Sequence, residues 1–212
     1  MRDSTSSDVL HEATPSGSRP DVGGVNGTFG VGKTSVVAAL VEADHRLVAV
    51  DPEEVGYLLR AMLPLPTGDF RDLPAWRRLV VATIVEVLRA RQGDHTPVDT
   101  CVVAMTLSDP VQRAEVFGAL AAAGVGVREV VLVAPDDVVI DRIRGQVTHP
   151  EDLDRNEASR RWRLAQLHGT TTQLHDLPPV IPRIETGTVT IAEVAGTVRD
   201  LALLTIGCGA DG

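Results

Sequence analysis

The stretch GTFGVGKT, residues 27–34, fits the pattern G-x-x-x-x-G-K-[ST] without a gap and constrains this chain more than any other feature. Such a pattern has a physical reason at each position. Glycines let the backbone curl so that successive N–H groups point inward at an anion. A helix that starts there adds its N-terminal donors and its dipole. The lysine reaches the terminal phosphates as a flexible point charge, and the hydroxyl after it ligates magnesium. Lys33 is also the only lysine in the chain, every other basic side chain being arginine. With that composition, a chance match of the flanking Gly and Thr positions is on the order of one in a thousand. Gly27, Thr28, Phe29, Gly30, Val31, Gly32, Lys33, Thr34 and Ser35 are therefore the candidate nucleotide-binding set, with ATP and Mg2+ as the expected cofactors. The lone lysine leaves none for a guanine-reading N/T-K-x-D motif, which favours ATP over GTP.

The loop also predicts its own context. DVGGVNG before it reads as an apolar strand, and KTSVVAALVEA after it as a helix with Val36, Val37, Leu40 and Val41 at helical spacing. The alternation then continues. RLVAVD, VDTCVVAMT, REVVLVAP and VIPRIETG read as four more buried strands. PEEVGYLLRAML, residues 75–91, DPVQRAEVFGALAAAG, DDVVIDRIRG and TIAEVAGTVRDLALL read as helices. Val55, Leu58, Leu59 and Met62 are expected to form one apolar face, and Gly124 to close its helix. Strands and helices in this order predict an α/β fold of the P-loop NTPase class. Its five-stranded parallel sheet is covered by helices on both faces. Residues 21–205 are read as one domain, with a lid at 146–178. A polar leader at 1–20 and a frayed tail at 206–212 flank it.

Composition excludes several alternatives. A net charge of −9, from 29 acidic against 20 basic residues, lacks the basic footprint of a general nucleic-acid binder. The two cysteines, Cys101 and Cys208, form no CxxC or Cys/His cluster, so neither a disulfide framework nor a zinc site is expected. No apolar run reaches the ~18 residues of a membrane span, and no basic-then-apolar signal opens the chain. A cytoplasmic protein is the expectation; the oligomeric state is left open.

In parallel sheets of this kind, chemistry gathers at the C-terminal strand ends, here Asn26–Gly27, Asp51, Met105–Thr106 and Ala134–Pro135. Asp51 is read as a proton acceptor for an acceptor hydroxyl or as a magnesium-side carboxylate. The plain alternative is a helix N-cap before Pro52. Arg60, on the following helix, is either a clamp for an anionic acceptor or a surface ion-pair partner. Arg142 and Arg144 either reach the transferring phosphoryl group or only complement a helix C-terminus. Arg155, Arg160, Arg161 and Arg163 cluster in the lid segment. Trp76 and Trp162 read first as packing residues, with base stacking as the alternative. The third strand ends VVAMT, without the acidic residue that commonly serves the metal.

NGTFGVGKT, DPEEVGYLLRAMLP, DFRDLPAWR, VVAMTLSDP and, more weakly, DRIRG resemble the tunicamycin-resistance protein family, from about residue 24 to 145. That group is related to nucleoside-monophosphate and small-molecule kinases. The resemblance implies an adenylate-kinase-like fold, ATP and magnesium held at Lys33 and Thr34, and an acceptor pocket at Asp51 and Arg60. It further implies that Trp76 and Arg77 line the connector, and that the function is ATP-dependent resistance to a uridine-containing antibiotic. Thr106, at its strand end, joins Asp51, Arg60, Trp76 and Arg77 as a candidate substrate-binding residue. Three readings follow. The first is an ATP-dependent small-molecule phosphotransferase, with Lys33, Asp51, Arg142 and Arg144 catalytic. The second is a nucleoside-monophosphate kinase. The third is a non-catalytic, nucleotide-gated protein that sequesters its ligand.

Overall fold

Each apolar run becomes a strand in the computed structural model, which describes residues 21–63, 69–92, 100–148 and 150–203. The strands are β1 Val22–Gly27, β2 Leu47–Val50, β3 Thr100–Met105, β4 Val127–Val133 and β5 Arg183–Glu185. The helices are α1 Lys33–Ala43, α2 Pro52–Met62, α3 Pro74–Gln92, α4 Pro110–Ala122, α5 Asp136–Gly145, α6 Leu153–His175 and α7 Ile191–Val198. All strand pairs are parallel, in the order β2-β3-β1-β4-β5. β1 is central, its Val25 lying between Ala104 of β3 and Val130 of β4. The chain leaves β1 toward opposite edges of the sheet in its two halves. The loop after β1 therefore opens at the switch point where such sheets form their crevice.

β1 is buried along its whole length, as expected of a strand covered on both faces. On one face Val25, Val102 and Val130 pack with Val36 and Leu40 of α1 and Val194 and Val198 of α7. On the other, Val22, Val103 and Met105 pack with Leu59, Trp76, Val80, Ile84 and Leu120 of α2, α3 and α4. Such a layered core can be built from Val, Leu and Ile because β-branched residues suit a doubly buried strand. Aspartates start three helices. Asp51 accepts from Glu53 N at 2.8 Å, Asp109 from Val111 N and Gln112 N at 2.9 Å each, and Asp152 from Arg155 N at 2.9 Å. Each such cap contributes about 1 kcal/mol. Thr190 and Glu193 form a capping box on α7.

Two details differ from the pattern read in the sequence. On α2, Leu58 and Met62 are 57% and 62% exposed, and the buried face is Pro52, Gly56 and Leu59. The ring of Phe70 explains the rotation. A Cβ at Gly56 would lie 2.5–2.6 Å from three of its ring atoms, so the missing side chain at residue 56 decides which face turns inward. The final helix is not continuous either, since α7 stops at Val198 and a π-helical turn, Arg199–Leu203, follows. Residues 1–20, 204–212 and Cys208 lie outside the described residues. Among the described residues no helix is long and apolar enough to cross a membrane.

Candidate active site

The loop between β1 and α1 has the shape its glycines permit. Gly27 and Gly30 take φ of 150° and 75°. A Cβ at Gly27 would meet Leu132 O at 2.8 Å, and one at Gly30 the Ile143 side chain at 2.7 Å. Only glycine fits either position. Behind the loop lies a satisfied polar network that sequence reasoning missed. Buried Asn26 accepts from Gly27 N at 2.7 Å and Leu107 N at 2.9 Å, and donates to Leu107 O and Glu129 Oε1 at 2.9 Å each. Arg113 neutralises Glu129 at 2.6 Å. Asn26 thus ties the start of the loop to the end of β3, and a buried amide with all its bonds made is a rigid brace.

Lys33, the first residue of α1, turns back into the loop and donates to Gly27 O at 3.0 Å and Thr28 O at 2.7 Å. Its ammonium also lies 5.7 Å from the centre of the Phe29 ring. Desolvation lowers the Lys33 pKa to about 7, with further lowering from the Arg71 and Arg163 charges and opposition from Glu53 and Asp51. Thr34 and Ser35 follow on the exposed first turn of α1.

Lys33 and Thr34 form one side of a cleft of about 590 Å³. The opposite wall carries Asp51, Glu53, Tyr57 and Arg60 from the end of β2 and from α2, with Asp69, Phe70 and Arg71 from the turn that follows. Asp51 is both an N-cap and a cleft residue, so the two readings of this aspartate coexist. Desolvation raises its carboxyl above the usual range despite the opposing Glu53 N–H. Tyr57 donates to Glu53 Oε2 at 3.1 Å, and its own hydroxyl pKa is raised, first by desolvation and then by the Glu53 charge. Arg60 lies with Cζ 5.7 Å from the Phe70 ring centre. Thr106, at the end of β3, donates to Gly27 O at 2.9 Å and lines the floor. From α6 come Arg155, Ser159, Trp162 and Arg163. Trp162 meets Phe29 edge-on at 5.1 Å, and Arg163 donates to Gln146 Oε1 at 3.0 Å.

Of the other expected residues, Arg142, Arg144 and Arg77 lie elsewhere. Arg142 points to the back of the loop, donating to Val31 O at 3.3 Å, Thr186 Oγ1 at 3.1 Å and Thr186 O at 2.6 Å. It borders a second cavity of about 370 Å³ with Gly30, Gly32, Thr186, Val189, Ile191 and Val194. Arg144, two residues on, is 67% exposed and pairs with Asp141 at 3.7 Å. Residues two apart on a helix do not face the same way, so both could not serve one phosphoryl group. Trp76 does line the cleft, as expected, but from a buried position: its ring packs tilted against Phe70 at 5.5 Å and its indole N–H donates to Pro52 O at 2.9 Å. Arg77 lies outside the cleft, where it pairs with Glu115 and donates to Arg71 O at 2.6 Å. Arg160 bonds Glu157 and Gln146 O, beside the cleft. Glu53 and Arg71 were not singled out in the sequence, although the helix-opening PEE and the DFRD turn contain them.

Among the described residues no group of three His, Cys, Asp or Glu could hold a metal by itself. The donors present, the Thr34 hydroxyl with Asp51 and Glu53 across the cleft, suit Mg2+ better. That ion commonly takes one or two protein oxygens and completes its shell with water and phosphate.

A glycine loop of the P-loop kind at the switch point, a carboxylate in the same cleft and a helical cover define a kinase-like P-loop protein. The chain belongs to the AAA domain family, whose model matches residues 24–170. No curated protein sequence matches it. Among solved structures it is similar to the tunicamycin resistance protein of Deinococcus radiodurans, at 26% identity and a TM-score of 0.60. That match covers 86% of this chain and 95% of the other. A gluconokinase from Sinorhizobium meliloti 1021 is 18% identical with a TM-score of 0.52, covering 84% and 89% of the two chains. The APS kinase of Mycobacterium tuberculosis, in complex with AMPPNP and APS, is 20% identical with a TM-score of 0.52, covering 87% and 98%. These two show the fold alone; the first bears out the family resemblance seen in the motifs.

Proposed function

We propose that the protein binds ATP with Mg2+ and transfers the terminal phosphoryl group to a hydroxyl of a small molecule, a nucleoside-like antibiotic of the tunicamycin kind or a metabolite. The observation that carries this reading is one continuous cleft with Lys33 and Thr34 on one side and Asp51 on the other. The loop N–H groups and Lys33 would hold the phosphates, and the cavity beside Arg142, Val189 and Ile191 would hold the base. Asp51 would accept the proton of the acceptor hydroxyl. As its oxygen bonds to the γ-phosphorus, the bond from that phosphorus to the β–γ bridging oxygen breaks and ADP leaves. A carboxylate with a raised pKa is a better base for this than an ordinary one. Thr34 would hold the magnesium directly and Asp51 only through water, which leaves the carboxylate free as the base; the ion supplies charge neutralisation on the phosphates when bound. Such a protein would work where ATP is abundant, in the cytoplasm.

A nucleoside-monophosphate acceptor fits less well where Asp51 and Glu53 open the acceptor wall and would repel a phosphate, against the attraction of Arg60 and Arg71 on the same wall. Sequestration without transfer is favoured by one observation, the absence of a carboxylate at the end of β3. A melting screen with Mg-ATP across nucleosides, nucleotides and nucleoside antibiotics tests the reading. A shift for neutral hydroxyl-bearing nucleosides, but not for monophosphates, is expected. The opposite selectivity would overturn the assignment of the acceptor wall.

A further inference from the structure

The end of β3 carries no carboxylate, and the side chain that reaches it instead is a guanidinium. Arg71 donates from Nη1 to Thr106 O at 3.0 Å. Its Nε and Nη2 are held by the Asp69 carboxylate, with Nε at 2.9 Å from Oδ2. Of the five N–H groups on an arginine head, these bonds commit three. The remaining two, one on each terminal nitrogen, have no partner among the described residues, and Arg71 itself lines the cleft. The side chain is only 12% exposed, and Arg77 supports its backbone by donating to Arg71 O. Arg71 is therefore a fixed head, unlike the exposed Arg144.

Its position relative to the loop follows from shared partners. Lys33 Nζ and Thr106 Oγ1 both donate to Gly27 O, at 3.0 and 2.9 Å, and Arg71 bonds the backbone of the same Thr106. The Phe29 ring centre lies 5.7 Å from Lys33 Nζ and 5.2 Å from Arg71 Cζ. Lys33, which such loops direct at the β- and γ-phosphates, thus has Arg71 as a neighbour on the acceptor side. Resting on the nucleotide-binding reading above, we propose that Arg71 clamps the terminal phosphate of the bound triphosphate from the sheet side. The two open N–H groups hold it where a metal-side carboxylate would otherwise stand. Asp69 offsets the charge of Arg71 and fixes its direction, so its contribution is oriented donors rather than long-range attraction.

The proposal separates nucleotides that have a terminal phosphate from those that lack it. Binding of AMPPNP and of ADP is measured by calorimetry on the full chain, for the natural protein and for Arg71→Gln and Arg71→Lys. Loss of charge-assisted hydrogen bonds predicts AMPPNP affinity about ten- to hundredfold weaker in Arg71→Gln, with ADP affinity changed by less than about twofold. Arg71→Lys should recover part of the loss and serves as the reading should Arg71→Gln fail to fold. Equal weakening of both nucleotides would make Arg71 a structural residue and overturn the proposal, as would no change in either. If the natural protein bound neither nucleotide, the parent reading would fall first and this one with it.

Discussion

Raising the pH from 7 to 9 should weaken Mg-ATP binding steeply, and Lys33 sets the size of the effect. In the free protein its pKa is lowered to about 7, first by desolvation and then by Arg71 and Arg163, against Glu53 and Asp51. A bound triphosphate supplies several negative charges beside the ammonium and draws its pKa back toward the ordinary lysine value. Binding then carries a proton uptake, so affinity falls as pH rises through the free-state value. The penalty factor, one plus ten raised to the distance above pH 7, is about 2 at pH 7, about 11 at pH 8 and about 100 at pH 9. The expected loss from pH 7 to 9 is therefore about fiftyfold, or roughly 2 kcal/mol. Over this window the terminal phosphate, with a second pKa near ~6, is already ionised and does not add to the slope. Calorimetry in two buffers of different ionisation enthalpy at each pH gives both the Kd and the proton uptake. Uptake should rise from about half a proton at pH 7 to about one at pH 9. A Kd changing by less than about threefold, with no uptake, would refute the argument that Lys33 is held half-neutral until an anion arrives.

Other substitutions probe separate parts of the account. Asp51→Asn keeps the shape of an N-cap but removes the base. It should retain ATP binding, melt within about 1 kcal/mol of the parent and lose about a hundredfold or more in phosphotransfer. Full activity in this variant would dismiss Asp51 as the base. Arg142→Ala removes three hydrogen bonds behind the loop and should cost about 1–3 kcal/mol in denaturant unfolding, whereas Arg144→Ala should stay within about 0.5 kcal/mol. Gly30→Ala combines a φ of 75° with a Cβ 2.7 Å from Ile143, and should destabilise by about 1–3 kcal/mol in the same measurement.

How much of this was legible beforehand depends on the range of the interaction. α1 and α5 begin and end where their glycines, aspartates and periodicity predict, because those signals are local. The five strands were legible for the same reason: β2, β3 and β4 are short runs rich in β-branched residues between turn residues, β1 leads straight into the glycine loop, and β5 lies in the apolar run before the last helix. The buried face of α2 was not, because it is set by Phe70 filling the space above Gly56, a contact across fourteen positions of sequence. The loop lysine and the facing Asp51 were visible as a motif and a strand end. Arg142 was singled out for its charge, but its direction depends on Thr186, a partner in a different part of the fold. Arg71 lies in a turn with no periodic signature, and it becomes a site residue only through Thr106, thirty-five residues away.

The central claim is that the cleft transfers a phosphoryl group rather than merely holding a ligand. It is tested most directly by a mass balance with Mg-ATP and an acceptor that shifts the melting temperature, following ADP and the modified acceptor together. The account predicts ADP and a phosphorylated acceptor in equal amounts over many turnovers, abolished by Lys33→Ala. Tight one-to-one binding of the acceptor with no ADP formed would contradict it and leave a sequestering protein in its place.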